Sequence, residues 1–197
     1  MKAVNIAMEE IMENSNRLQN YFKCDGFSIK RIFTEKDVKS FEELNALYVK
    51  NKEHLYYWHG DDPEFDFKIS DDYIRYLKNY NLLCYVVLVS GRIIGFVGIT
   101  KLVCNNSSRN FRHITYWIDK DNAGHGIMYR TLSALEESLR FTKTDYLIAN
   151  VYGENKASIR LLEKLNFEKK FTFIGLIGDK AVMPNIEYIK YFEKQAA

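Results

Sequence analysis

The sequence predicts one mixed α/β domain in which helices cover both faces of a mostly antiparallel sheet of about seven strands. Apolar runs with strand character and amphipathic segments with helical spacing follow one another in the order βαα-βββ-α-β-α-ββ. A Ser-Gly pair joins two of the apolar runs, which is typical of a hairpin. The 197 residues include only two prolines and ten glycines, without a repeat or a linker-like stretch. These features favour a single sheet built by one domain.

The bulk composition excludes several classes of function. A hydrophobic content of 47% suits one sizeable core. The net charge of +2, from 28 basic and 26 acidic residues, gives no electrostatic case for a nucleic-acid partner. The longest apolar run, Leu82–Val89, is too short to cross a bilayer, and the acids within the first apolar pattern are unlike a signal peptide. We therefore predict a soluble, cytoplasmic protein with no membrane partner.

The three cysteines predict neither a disulfide framework nor a metal site. Cys24, Cys84 and Cys104 are odd in number and far apart in the sequence. Cys84 falls within an apolar strand, where a free cysteine is usually a small core residue. A cysteine nucleophile needs an activating partner, and none lies near these residues in the sequence.

The first third of the chain divides into an accessory segment and the start of the domain. Residues 1–22 have a loose helical spacing and predict an extra N-terminal helix outside the domain, which spans 23–197. Residues 26–33 alternate like a strand. Residues 34–51 place their apolar side chains on one helical face. An aromatic loop is predicted over 54–67.

A second predicted helix leads into three consecutive strands. Ser70 has the character of an N-cap, with acids in the turn that follows. The runs Leu82–Val89 and Ile93–Ile99 then form a hairpin, because Ser90-Gly91 separates them by two residues. A third strand is predicted over 109–119.

The last third alternates helices and strands. Asn155 can cap a helix, and Asn166 occupies a position where a left-handed residue commonly ends one. The predicted elements are a helix over 126–141, a strand over 145–152, a helix over 155–165, and strands over 168–174 and 182–191.

Gly124 and Gly126 lie where the third strand gives way to the helix over 126–141. Helix N-termini offer unpaired N–H groups, and glycine allows a ligand close to the backbone, so the pair suggests anion binding. The dinucleotide fingerprint would need a third glycine at Tyr129, and a P-loop would need Lys-Ser or Lys-Thr at Ile127-Met128. Neither of these phosphate sites fits.

The segments "YWIDKDNAGHGIMYRTLSALEESL" and "ANVYGENKASIRLLEKLNFEKK" together resemble the acetyl-CoA-binding core of the GNAT N-acetyltransferases. The resemblance covers roughly residues 26–191 and is greatest to the RimJ/RimL-type branch, which acetylates N-terminal Ala or Ser of ribosomal proteins. "NKEHLYYW", from Asn51 to Trp58, resembles an early segment of that branch.

The resemblance implies acetyl-CoA as cosubstrate and assigns residues to it. In this family the main-chain N–H groups of a glycine turn hold the CoA phosphates, and a strand end pairs with the pantetheine arm. Asp121 replaces the family's leading Gln or Arg, a side chain that the main-chain donors do not require. Asn155, whose simpler interpretation is an N-cap, corresponds to a pantetheine contact. The implied cofactor-binding residues are Trp117, Ile118, Gly124, His125, Gly126, Ile127, Asn155 and Ser158.

The resemblance also implies the catalytic groups. The main chain of Ile118 would donate to the thioester oxygen, and Ser158 would protonate the leaving thiolate. Acetyl transfer needs a neutral amine, a donor for the developing oxyanion and an acid for the departing sulfur, which agrees with these assignments.

Fewer residues indicate where the acceptor amine binds. Trp58 and Tyr57 can stack on a substrate, or can instead anchor the aromatic loop to the core. His113 is a further candidate substrate contact. The general base is left open among His59, Asp61, Asp62, Glu64, His113 and water.

The resemblance thus implies direct transfer of an acetyl group to a primary α-amine, without a metal. The acceptor is either a peptide N-terminus, such as that of a ribosomal protein, or a small aminoacyl compound, such as an aminoacyl-nucleotide antibiotic. A non-catalytic CoA-binding regulatory module is the alternative from another class. The protein is expected to be a monomer or a homodimer.

Overall fold

The computed structural model describes residues 18–33, 36–51, 53–55, 82–105, 107–177 and 180–192. The predicted helix that begins at Ser70 lies outside these residues. The strands are β1 (Tyr21–Cys24), β2 (Phe27–Ile32), β3 (Leu82–Val89), β4 (Arg92–Thr100), β5 (Val103–Cys104), β6 (Asn110–Ile118), β7 (Tyr146–Tyr152), β8 (Glu168–Ile177) and β9 (Lys180–Tyr191). The helices are α1 (Val38–Lys50), α2 (Ile127–Arg140) and α3 (Lys156–Lys164).

The sheet is mixed and mostly antiparallel, as predicted. Its strands lie in the order β1-β2-β3-β4-β6-β7-β9-β8, and β5 pairs with β6 beside this path. β6 and β7 are parallel, and the other described pairs are antiparallel. The chain passes from α3 to β8 at the sheet edge and returns as β9 between β8 and β7. The predicted fold class is therefore confirmed.

Each face of the sheet buries its own apolar cluster. Leu132 of α2 and Leu162 of α3 belong to one cluster, and Phe41 and Leu44 of α1 belong to the other. Cys84 is buried in the second cluster, which confirms its prediction as a core residue. Within the residues described, no helix is long and apolar enough to cross a membrane.

Among the residues described, the sheet has nine strands instead of about seven, because two short ones, β1 and β5, were not predicted. The helix predicted over 1–22 is wrong at its end: residues 18–20 are not helical, and Tyr21 and Phe22 belong to β1. The cause is the pair Asp25-Gly26, a two-residue turn with Gly26 at φ 78°, which folds β1 back onto β2. Residues 1–17 lie outside the described part, so the accessory unit stays a prediction.

Local signals at the remaining turns are confirmed. Ser90 and Gly91 both have positive φ, 49° and 78°, and join β3 to β4 directly. Asn155 caps α3 by accepting a hydrogen bond from the Ser158 N–H. Asn166 has φ 61°, the left-handed conformation expected just after the end of α3. These turns fix where each strand and helix enters the site described next.

Candidate active site

The parallel strands β6 and β7 part before they end. They pair only over Phe111–His113 and Tyr146–Ile148, although β6 continues to Ile118 and β7 to Tyr152. On its other edge, β6 remains paired with β4 as far as Ile118. The last half of each strand therefore borders a gap in the sheet.

The alternation of main-chain groups along β6 decides which residues face this gap. In an antiparallel pair, every second residue directs its N–H and C=O to the partner strand, and the residues between direct theirs away. The Asp119 N–H donates to the Ile94 carbonyl at 2.7 Å, in register with β4. Trp117 therefore shares the orientation of Asp119 toward β4, whereas Tyr116 and Ile118 direct their main-chain groups toward the gap.

The other end of β6 has the same alternation. The Asn110 carbonyl accepts a hydrogen bond from the Asp145 N–H on the β7 side at 2.7 Å. The His113 N–H instead donates to the Thr100 hydroxyl on the β4 side at 2.8 Å. Of the two predicted main-chain contacts, Ile118 is thus placed at the gap, and Tyr116, which the sequence did not single out, joins it in place of Trp117.

The Trp117 side chain is a core residue on the α1 face of the sheet. Its ring lies 6.0 Å from that of Tyr48 and 6.4 Å from that of Phe96, measured between centroids, and is 9% exposed. Neighbouring side chains on a strand point to opposite faces, so Tyr116 faces α2 and α3.

The glycine turn leads from β6 into α2. Gly124 and Gly126 have φ of 80° and 69°, a left-handed conformation that favours glycine. A Cβ placed on either would have no atom within 4 Å. Gly126 is the N-cap of α2, and no side chain of the described residues caps this first turn. Ile127 is half-buried and His125 is exposed. The turn thus presents open space and the positive end of a 14-residue helix.

A buried carboxylate fixes the start of this turn. Asp119, 4% exposed, accepts hydrogen bonds from Asn51 at 2.8 Å, from Asn122 at 2.8 Å and from Lys50 at 3.2 Å. Asn51 also accepts from the Lys120 N–H at 2.9 Å. Burial alone would raise the pKa of Asp119, but these hydrogen bonds outweigh it and hold the pKa below its usual value. The end of α1 is thereby joined to the residues that lead into the glycine turn.

Asn51 and Asp119 lie in two of the segments that carry the family resemblance, "NKEHLYYW" and "YWIDKDNAGHGIMYRTLSALEESL", and nothing in the sequence connects the two. Asn51 and Asp119 are 68 residues apart in the chain, so only the folded sheet brings them together.

The start of α3 borders the gap from the other side. The Asn155 side-chain oxygen accepts from the Ser158 N–H at 3.0 Å, which satisfies one of the open donors of the helix. The Ser158 hydroxyl lies 2.7 Å from the Tyr116 hydroxyl. Burial raises the pKa of Tyr116 well above its usual range, although the hydrogen bond to Ser158 acts in the opposite sense.

His113 lies on the same strand and, by the alternation of side chains, on the α1 face with Trp117. Its ring packs edge-on against that of Phe111 at 5.5 Å. Burial lowers the pKa of His113, so its imidazole is neutral at neutral pH. It can therefore accept a proton without first losing one.

These residues line a single cleft of about 920 Å³ that passes through the gap in the sheet. On one side it reaches the glycine turn and the start of α3, and on the other it reaches His54, His113 and Trp117. The predicted residues that line it are His113, Trp117, Ile118, Gly124, Gly126, Ile127, Asn155 and Ser158. The predicted substrate contacts Tyr57 and Trp58, and the base candidates His59, Asp61, Asp62 and Glu64, lie outside the described residues.

The fold matches those of several solved acetyltransferases. A Salmonella typhimurium acetyltransferase that modifies the N-terminal serine of ribosomal protein L7/L12 has 14% identity and a TM-score of 0.71, over 88% of this chain and 99% of that one. The ribosomal-protein-S5-alanine acetyltransferase from Vibrio fischeri has 19% identity and a TM-score of 0.69, over 88% and 97%.

A third match is the microcin C7 self-immunity acetyltransferase MccE, solved in complex with acetyl-CoA and AMP. It has 19% identity and a TM-score of 0.70, over 86% of this chain and 94% of that one. At these identities the likeness concerns the fold. None of the curated protein sequences is a significant match.

A family model settles the class of protein. The model described as "Acetyltransferase (GNAT) domain" matches residues 30–168, which is well over half of the chain. This range holds the parted strands, the glycine turn and the start of α3. The chain belongs to the GNAT family of acetyltransferases.

Proposed function

We propose that this enzyme transfers the acetyl group of acetyl-CoA directly to a primary α-amine. The observation that carries the proposal is that two features meet in one cleft: strands β6 and β7 part beyond His113 and Ile148, and the glycine turn at the start of α2 has no side-chain cap from the described residues. A gap that main-chain groups of β6 face suits an extended, amide-bearing arm, and the helix N-terminus suits a phosphate.

The glycine turn supports binding of the CoA pyrophosphate. Gly124, His125, Gly126 and Ile127 would contribute main-chain N–H groups, and the open space beside both glycines leaves room for close approach. Asp121, an acid where the family has Gln or Arg, bonds to Lys50 at 2.6 Å. This pairing offsets a negative charge that would otherwise oppose the phosphates.

The gap supports binding of the pantetheine arm. Tyr116 and Ile118 would offer their main-chain groups along one side. Asn155 already uses its Oδ1 atom as the cap of α3, so contact with the arm falls to its Nδ2 group. Ser158, held by the same cap, would lie beside the sulfur.

The chemistry needs no covalent enzyme intermediate. Acetyl-CoA supplies an activated acyl group as a thioester. The amine lone pair forms the new C–N bond while the C–S bond breaks, with its electron pair remaining on sulfur. The Ile118 N–H would stabilise the developing oxyanion, and Ser158 the departing sulfur. His113, neutral on the other side of the cleft, would accept the proton that the amine loses, directly or through water.

The solved structures with a similar fold suggest two classes of acceptor for this enzyme: a protein N-terminus beginning with Ser or Ala, and an aminoacyl nucleotide. The aromatic residues predicted for the loop over 54–67 favour a planar group on the acceptor, because bases stack on such rings. Action in the cytoplasm, as a monomer or a homodimer, belongs to the same proposal.

Release of the CoA thiol tests the reaction and the acceptor together. Acetyl-CoA would be incubated with peptides beginning in Ser or Ala, with a non-hydrolysable aminoacyl-adenylate analogue, and with each compound already N-acetylated as the control. Thiol release that depends on the free α-amine supports the proposal, and the acceptor with the highest kcat/KM identifies the class. Tight binding of acetyl-CoA with no thiol release from any amine would favour a regulatory CoA-binding module instead.

A further inference from the structure

The hydrogen bond between Tyr116 and Ser158 joins β6 to the start of α3 inside the cleft. The residues are 42 positions apart, one on the parted end of β6 and the other in the first turn of α3. Both are half-buried and both line the cleft. The distance of 2.7 Å between their hydroxyl oxygens is typical of a well-formed O–H···O bond.

Either hydroxyl can donate in this bond, and their acidities favour one direction. A phenol, with a pKa near 10 in water, is a much stronger acid than the aliphatic hydroxyl of serine, so Tyr116 is the better donor. Its burial also disfavours the phenolate, which keeps the donor proton in place across the working pH range. With Tyr116 donating, the Ser158 oxygen is occupied as an acceptor, and its own proton is left to point into the cleft.

We infer that Tyr116 is a positioning residue that orients the Ser158 hydroxyl as a donor to the departing sulfur. The inference rests on the proposed function. As the C–S bond breaks, sulfur keeps the electron pair and accepts a hydrogen bond from Ser158. Tyr116 polarises that serine by donating to its oxygen, so both hydroxyls remain neutral. The thiolate takes its final proton from water as CoA departs, and His113, the base of the proposed function, takes up the proton that the amine has lost and later passes it to water.

The pH dependence of CoA binding tests this arrangement without any acceptor. A donor aimed at the sulfur stabilises the thiolate and so lowers the pKa of the bound CoA thiol. Calorimetry between pH 7 and 10 would compare CoA with desulfo-CoA, which lacks the titrating group. The quantity to follow is the affinity for CoA divided by the affinity for desulfo-CoA. Between pH 7 and 10 this ratio should rise in the wild type, and the rise should be at least about threefold larger than in Tyr116→Phe or Ser158→Ala.

A matched control separates this role from a general loss of a tyrosine hydroxyl. Tyr188 is buried on β9, and its hydroxyl donates to Glu163 of α3 at 3.3 Å. Tyr188→Phe therefore removes a bond between the sheet and α3 without touching the cleft. It should retain the wild-type pH dependence.

Kinetics add a second measurement once an acceptor is known. Tyr116→Phe should lower kcat about tenfold and leave the KM for acetyl-CoA within about twofold. In the Ser158→Ala background the same substitution should change kcat by less than about twofold, because the two residues act as one unit.

The outcomes are separable. CoA binding with an unchanged pH dependence in Tyr116→Phe, or in Ser158→Ala should the tyrosine variant not fold, overturns the inference and leaves the proposed function standing. The inference is also overturned if Tyr116→Phe lowers kcat about tenfold in the Ser158→Ala background. A wild-type protein that binds no CoA at all rejects the proposed function and this inference with it.

Discussion

Replacing Gly126 with valine should weaken CoA binding about ten- to a hundredfold while leaving the fold intact. Gly126 is the N-cap of α2 at φ 69°, and a Cβ there points into open space within the cleft. In the proposed complex that space is taken by the pyrophosphate. A branched side chain would push the phosphates away from the N–H groups of the turn.

The size of the effect follows from two separate costs. A non-glycine residue in the left-handed region costs about 1–2 kcal/mol, which lowers Tm by roughly 2–8 °C in a chain of this length. This strain is present with and without ligand, so it does not by itself change Kd. Losing one main-chain hydrogen bond to a charged phosphate costs about 1.5–3 kcal/mol, which corresponds to a Kd raised about ten- to a hundredfold.

Gly91 offers a control with the same backbone strain at a remote position. It has φ 78°, its Cβ would also meet no atom within 4 Å, and it lies in the turn between β3 and β4, outside the cleft. Calorimetry with CoA and thermal unfolding would be measured for Gly126→Val and Gly91→Val. Both should lose a few degrees of Tm, and only Gly126→Val should lose affinity. Wild-type affinity in Gly126→Val, or an equal loss in Gly91→Val, would refute a phosphate site at this turn.

Three further substitutions test the acceptor side and the support of the turn. His113→Gln should lower kcat/KM about a hundredfold and remove the acid limb of the pH–rate profile. In the wild type this limb should lie below pH 6.5, because burial lowers the pKa of His113. An unaltered limb in the variant would exclude His113 as the base. Asp119→Asn should lower the free energy of unfolding at pH 7 by about 1.5–3 kcal/mol in urea titrations. The pKa of Asp119 is lower in the folded state than in the unfolded state, so the carboxylate stabilises the fold fully at pH values above the unfolded-state pKa. The difference in free energy of unfolding between wild type and variant should therefore shrink as the pH falls through the folded-state pKa. Trp58→Ala should raise the KM for the acceptor at unchanged Tm and acetyl-CoA affinity, whereas a large fall in Tm with an unchanged KM would make Trp58 an anchor of its loop.

Elements that local signals define were predictable from the sequence. The apolar spacing of α1, α2 and α3 depends on residues within a turn or two of one another, and the same holds for the Asn155 cap and for Asn166. The hairpin at Ser90-Gly91 was equally predictable, because a two-residue link between strands restricts the backbone to a few turn types.

The N-terminal hairpin shows how two local signals can compete. Leu18 and Phe22 are four residues apart, as on one face of a helix, and both are indeed buried in the same cluster. The Asp25-Gly26 turn that follows requires strands on either side, and pairing of Tyr21–Cys24 with β2 wins over the helical spacing. Apolar spacing over a few residues does not distinguish the two structures, whereas the turn residues do.

The site itself depended on contacts that no local pattern encodes. Strand order, the insertion of β9 between β7 and β8, and the length over which β6 and β7 pair are all set by distant parts of the chain. The family resemblance supplied Ser158 and the glycine turn, but not Tyr116. Tyr116 becomes visible only when the register with β4 shows which residues of β6 face the gap.

The parting of β6 and β7 connects the fold to the chemistry. While the two strands are paired, the main-chain groups that β6 directs toward β7 are used within the sheet, as at Asn110. Beyond His113 the same alternation directs those of Tyr116 and Ile118 into the gap, where a bound ligand can take the place of a strand. Because side chains alternate with the same period, Tyr116 reaches Ser158 on one face while His113 and Trp117 occupy the other. In the proposed reaction, this one strand therefore holds the cosubstrate along its edge, meets the leaving sulfur on one face and receives the amine on the opposite face.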